Sequence, residues 1–120
     1  MNSTVTLPKT KKYQYIRNWD LADIWDSSAS LEPEEFSVEM LWERYKKVYC
    51  WLDGGDEMTH AHFLHHLERI MSADLNYPIV LSEENYILDG VHRLMKCKYL
   101  GIDTIYGLKF KKDPLSKELY

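Results

Sequence analysis

The chain of 120 residues has two cysteines, four prolines, five glycines and three phenylalanines. Cys50 and Cys97 lie far apart in sequence and neither belongs to a C-x-x-C pair. That argues against a disulfide scaffold and points to a reducing, cytoplasmic setting. No apolar run approaches the roughly 20 residues that cross a bilayer, so no membrane association is expected. The start, Met1-Asn2-Ser3-Thr4-Val5-Thr6-Leu7-Pro8, lacks the apolar stretch of a secretion signal. The Asn2-Ser3-Thr4 sequon is therefore expected to be accidental. An excess of positive charge is also missing. The formal net charge is −4, which argues against an indiscriminate nucleic-acid binder, and DNA binding by this chain alone is not expected. What the chain does have is length for one domain and a hydrophobic content of 45%, enough for a real core.

The hydrophobic pattern gives an order of elements. Residues 1 to about 12 are polar, with Lys9, Lys11 and Lys12 clustered, and read as a loose arm. Asp20 is placed to cap a short helix whose Leu21, Ile24 and Trp25 share a face. Ser27 to Ser30 reads as a polar connector. Phe36, Val38 and Met40 alternate with polar residues, which predicts a strand over Glu35–Met40, followed by a helix from Leu41 to Trp51. Asp53-Gly54-Gly55-Asp56 is a turn. Thr59 is an N-cap, with Met58 and Phe63 spaced as a hydrophobic staple. Phe63, Leu64, Leu67, Ile70 and Met71 then line one face of a helix to about Ala73. Pro78–Leu81 and Tyr86–Leu88 are predicted strands joined by the hairpin turn Ser82-Glu83-Glu84-Asn85. A helix follows to Leu100, closed by Gly101 and Ile102, and Thr104–Phe110 is a last strand. No internal repeat is visible. The pattern divides into residues 1–32 (arm and short helix), 33–112 (the domain) and 113–120 (a charged tail).

One stretch carries chemistry. Tyr86-Ile87-Leu88 has the character of a strand, Asp89-Gly90 of a tight turn, and Val91-His92-Arg93 of the first turn of a helix. Free amides of a first helical turn point at an anion, and the aligned peptide dipoles favour negative charge there. Arg93 adds a planar fork of donors matched to phosphate oxygens. Gly90, Val91, His92 and Arg93 are thus the predicted phosphate-binding residues. Each has an ordinary alternative. Gly90 can serve the turn alone, His92 can be a surface or capping histidine, and Arg93 can pair with Asp89 or Glu84. Asp89 would repel a phosphate unless it caps the helix, orients His92 or Arg93, or holds Mg2+.

Three stretches together resemble the ParB/sulfiredoxin-like superfamily, and most of all its small stand-alone ParB-like domain proteins. They are Asp74-Leu75-Asn76-Tyr77-Pro78-Ile79-Val80-Leu81, Ile87-Leu88-Asp89-Gly90-Val91-His92-Arg93, and Leu100-Gly101-Ile102 with Thr104-Ile105. The likeness covers roughly residues 33 to 112 and is strongest at the D-G-x-H-R turn. It implies an α+β fold, a single compact domain with a small mixed sheet flanked by helices. It also implies a nucleotide phosphate at Gly90, His92 and Arg93, with ATP or CTP as ligand and Mg2+ as companion ion. Sulfiredoxins carry a reactive Cys directly before the His-Arg pair. This chain has Val91 there, so that chemistry is not expected, and Cys97, further along the helix, would need its own activation. Partition proteins of the superfamily continue into a DNA-reading helix-turn-helix domain, which is not expected within these residues.

Two further positions join the candidate site. His66 belongs to the run His60-Ala61-His62-Phe63-Leu64-His65-His66; the resemblance places a histidine near it, within reach of the phosphate. His62 and His66 stand at i, i+4, a spacing that can ligate a transition metal. Yet the run is not H-E-x-x-H, and no metal site is assigned. Lys98 falls inside the arc of Val91, Leu94 and Met95, so it either snorkels past the edge or supplies a second cation near the ligand. The expected function is nucleotide or phosphate binding, with phosphotransfer or hydrolysis as its extension. In that extension His92 and Asp89 are the catalytic candidates, and Glu35 and Glu39 are alternative bases. The alternatives are a non-catalytic module that binds a protein partner or a second copy of itself, and a metal-dependent nuclease.

Overall fold

A computed structural model describes residues 4–7, 16–46, 59–114 and 117–119, with side chains for 20–46 and 59–114. Among these residues the elements run β1 (Thr4–Leu7), β2 (Ile16–Asp20), α1 (Leu21–Ser28), β3 (Glu34–Ser37), α2 (Val38–Tyr45), α3 (His60–Ser72), β4 (Ile79–Leu81), β5 (Ile87–Asp89), α4 (Val91–Leu100), β6 (Thr104–Lys109) and β7 (Lys117–Leu119). The fold is α+β, with a three-stranded sheet in the order β1-β2-β7 and a mixed sheet in the order β3-β6-β4-β5. The chain divides into two units: residues 1–34, 79–89 and 107–120 form one, and 35–78 and 90–106 the other.

In the first unit β2 pairs antiparallel with β1, from Thr4↔Asp20 to Leu7↔Arg17, and with β7, from Ile16↔Leu119 to Asn18↔Lys117. The expected arm and tail therefore both contribute strands. Sequence reading missed them because each is short: Thr4-Val5-Thr6-Leu7 alternates but spans only four residues, and Lys117-Glu118-Leu119 only three. β4 pairs in parallel with the second half of β6, Ile79 facing Gly107, and antiparallel with β5 through a bulge at Val80/Leu81. The core gathers Ile24, Val80, Leu88 and Phe110, with Leu31 and Tyr86 packed against it. Ile79 and Leu81 are fully buried, as suits a strand flanked on both sides. The β4–β5 hairpin turns on Ser82, whose Oγ accepts from the amides of Glu84 and Tyr86, and on Asn85 at φ 65°, a backbone state that Asn tolerates. Glu83 and Asp113 exchange amide-to-carboxylate hydrogen bonds at 2.8 and 3.0 Å, tying that turn to the chain beyond β6.

In the second unit α2 and α3 both pack on α4. Val38, Leu41, Leu94, Cys97 and Ile105 are its buried apolar residues. The strand predicted to Met40 ends at Ser37, whose hydroxyl accepts from Met40 N and starts α2. A capping serine overrides three further residues of alternation, because it satisfies an amide the helix start would leave open. α2 is described to Tyr45; the rest of the predicted helix to Trp51, the turn at 53–56 and the staple partner Met58 fall outside the described residues. Thr59 caps α3 as predicted, accepting from His62 N at 3.2 Å.

The apolar face drawn for α3 is not its packed face. Phe63, Leu64 and Met71 are more than half exposed, and Leu67 is 39% exposed. The buried residue of this helix is His66. Trp25, expected on the inner face of α1, is likewise 53% exposed, while Ile24 beside it is fully buried. α4 follows the prediction from end to end, closing on Gly101 in the left-handed region with amide bonds from Gly101 to Lys98 O and from Ile102 to Cys97 O.

Candidate functional site

Strand β5 ends at Asp89, and Gly90 caps α4 at φ 115°, ψ 19°. Only glycine holds that backbone cheaply, because a Cβ would meet the chain. Gly90 provides no side chain to accept from the helix, and the first turn carries no acid. The partial positive charge of the helix start is therefore not offset by its own cap. The Leu94 amide bonds to Gly90 O at 3.1 Å, so the first turn is fully formed, with Val91, His92 and Arg93 on it. Leu94 and Cys97, both buried, fix the helix from below.

His92 meets His66: Nε2 of the first lies 3.2 Å from Nδ1 of the second. The ring planes are 13° from parallel, and the ring of His65 stands edge-on to His66 at 5.7 Å. His66 is 8% exposed. Arg93 leans toward the segment before β4 and donates from Nη1 to Pro78 O at 2.8 Å. That bond holds the guanidinium beside the start of β4. One turn on, Lys96 donates to Met71 O and Ala73 O at 2.9 and 2.8 Å. A cation on the last carbonyls of α3 is favoured by that helix's dipole. Four of the predicted residues, Gly90 to Arg93, thus share a turn with the added candidate His66 against it.

The remaining candidates make contacts of their own. Asp89, in the first unit, accepts at Oδ2 from Trp25 Nε1 at 2.9 Å. The cap position itself belongs to Gly90. Lys98 is an exposed partner of Glu39 at 2.9 Å, and the lysine holds the Glu39 carboxyl below its usual range, first through that hydrogen bond and then through its charge. The two line a hollow of about 290 Å³ with Ser37, Ile102 and Asp103. Glu35 accepts from the Tyr106 hydroxyl at 3.1 Å, which raises the phenol above its ordinary range. Burial pushes the Cys97 thiol up against a weaker opposing pull from Lys96, the reverse of a reactive cysteine. His60, His62 and His65 are exposed, and among the described residues no three His, Cys, Asp or Glu side chains gather to hold a metal ion. A cavity of about 740 Å³ in the first unit, lined among others by Glu32, Glu34, Glu83, Lys109 and Lys111, contains none of the predicted residues.

Comparison with protein-family models, with curated proteins and with solved structures gives no match. The ParB/sulfiredoxin-like likeness therefore rests on the motif residues alone. Two contacts were not foreseen. The bonding of Lys96 to the end of α3 left no sequence signal, because a lysine on a polar helix face looks solvated. The His66–His92 bond left none that periodicity could rank, because the apolar residues on the neighbouring arc define the stronger face.

Proposed function

We propose that the first turn of α4 binds the phosphate of a nucleotide or a related phosphate ester. The observation that carries the reading is the left-handed Gly90 cap, which starts a ten-residue helix with neither a capping side chain nor an acid in its first turn. An anion there meets the amides of that turn and the field of the helix. Arg93 adds a permanent charge and further donors, and His92 adds a hydrogen bond or a proton. The superfamily likeness supplies the ligand class, ATP or CTP with Mg2+, and extends the reading to phosphotransfer or hydrolysis. Thermal melting with ATP, ADP, CTP, GTP and inorganic phosphate, with and without Mg2+, tests it. A ligand at a hundred times its Kd stabilises the fold by about 2.7 kcal/mol. Hydrogen bonds to a charged group are worth about 1.5–3 kcal/mol, so Arg93→Ala should weaken binding roughly tenfold to a hundredfold. Unchanged affinity in that variant removes Arg93 from the site. No shift with any of the five ligands sinks the reading.

A second reading is favoured by one observation, an apolar stripe on α3 that is left exposed among the described residues. Leu64, Leu67 and Met71 follow one another at spacings of three and four, the seam of a two-helix contact. We infer that a second copy of the chain pairs along it. This reading is compatible with phosphate binding and does not replace it.

A further inference from the structure

His66 and His92 are the one pair of imidazoles bonded to each other among the described residues. Their ring centroids are 5.5 Å apart with planes nearly parallel, which on its face describes stacking. It is not stacking. The separation is close to the 3.2 Å between Nδ1 and Nε2 plus one ring radius at each end. The rings meet end-on, nitrogen to nitrogen. One nitrogen must donate and the other accept, so a single proton lies between them. We propose that this shared proton makes the pair an acid-sensitive latch between α3 and α4.

The reasoning is a count of protons. In the neutral pair one ring donates its inner N–H to the inner lone pair of the other. A first added proton goes to the outer nitrogen of the donor ring, and the bond becomes charge-assisted and stronger. The only lone pair then left is the one accepting the shared proton. A second added proton must take it, and two N–H groups would face each other at hydrogen-bond distance. The latched pair therefore accepts one proton where two free histidines accept two, and the two rings titrate as a unit.

The surroundings oppose a second charge. α3 brings His62, His65 and Arg69 within one turn of His66, and α4 brings Arg93 and Lys96 within one turn of His92. α2, which packs on α4, carries Glu39, Glu43 and Arg44, with Glu39 engaged by Lys98. Asp89 stands three residues ahead of His92 in the chain. Apart from Glu68, which stands two residues past His66 and so does not share its face, the near neighbours on the two latched helices are thus basic. His66 is also more than nine-tenths buried, so solvent screens that ring weakly, and His92 is half-buried.

The sign follows. Below the ordinary histidine range, near about pH 6.5, the unfolded chain holds one more proton at these two sites than the latched form. Stability rises with pH wherever the unfolded state binds more protons. Folding therefore weakens as pH falls, by about tenfold in the equilibrium constant per pH unit, until the latch opens.

Nitrogen-15 NMR of the histidine side chains in the full chain, from pH 8 to 5, tests the proposal directly. The expected result is one proton shared by His66 Nδ1 and His92 Nε2, with one proton taken up by the pair as a whole. Urea unfolding at the same pH values provides the second reading. His66→Gln keeps an uncharged hydrogen-bonding group and is expected to flatten the acid dependence seen in the unsubstituted protein. Two rings that each take a proton independently overturn the latch, as does an acid dependence unchanged in His66→Gln. Should that variant not fold, the NMR titration decides alone. Failure of phosphate to bind while the pair still titrates as a unit would count against the proposed function and leave the latch intact.

Discussion

At position 97 a thiol lies 1% exposed on the packed side of α4, and burial raises its pKa more strongly than Lys96 lowers it. Reactivity follows the thiolate, so this residue should be inert although it lies close in sequence to the proposed ligand turn. In a Cys50→Ser background, an aromatic disulfide reagent at neutral pH should leave the native protein unlabelled and label Cys97 as urea unfolds it. Prompt labelling of the native chain would show that α4 is not packed as described. Glu39 illustrates the opposite case. Its lowered pKa reports a bond to Lys98 that is present above the ordinary carboxylate range and lost as pH falls through the folded value. Both side chains are exposed, at 39 and 64%, and an exposed pair contributes little to stability. A shifted pKa at the surface therefore marks a contact, whereas the His66–His92 contact at the α3–α4 joint bears on whether the helices stay together.

Where the chain announces helix ends with side-chain chemistry, the elements were legible. Thr59 and Gly101 delimit α3 and α4 in the sequence as they do in the structure, because capping is local and does not wait for tertiary context. The β4–β5 hairpin and the buried Ile79–Leu81 run were readable for the same reason, as was the turn at Gly90. What was not legible depended on neighbours. Periodicity assigned Phe63, Leu64, Leu67 and Met71 to a buried face, but it reports only that a helix is amphipathic, not which face is covered. It could not show that His66 would turn inward to meet a histidine 26 residues away, or that Trp25 would stay outside on the Asp89 carboxylate. Gly101 offers a clean test of the local part. It sits at φ 73° with nothing within 4 Å of a would-be Cβ, so substitution there adds backbone strain without a clash. Gly101→Ala should cost about 1–2 kcal/mol, the penalty of a left-handed residue, and Gly101→Asn distinctly less, since Asn visits that region more readily. Urea melts that rank the two equally would mean the C-cap is not held in this conformation in solution.

For the molecule as a whole, no helix among the described residues is long and apolar enough to cross a membrane, so the uncovered side of α3 does not extend to a spanning segment. Its exposure of 56% at Phe63 and Leu64, 39% at Leu67 and 53% at Met71 is the surface that the proposed pairing of two copies would cover. A two-fold axis would set the same stripe against itself, which closes the assembly at two copies. Size decides how tight that pair can be. A helix of 13 residues is about 20 Å long at 1.5 Å per residue. Two such stripes alone fall short of the roughly 1,200–2,000 Å² that stable interfaces bury. The dimer should accordingly be weak and concentration-dependent. Light scattering on the full chain should give a mass near 14.3 kDa at low micromolar concentration and climb toward twice that value at several hundred micromolar. Leu67→Glu places like charges at the centre of the seam and should hold the mass at the monomer value throughout, with its melting temperature little changed because the side chain is already part-exposed. A wild-type mass that stays at 14.3 kDa over the whole range would remove the pairing, and so would a Leu67→Glu variant that still climbs.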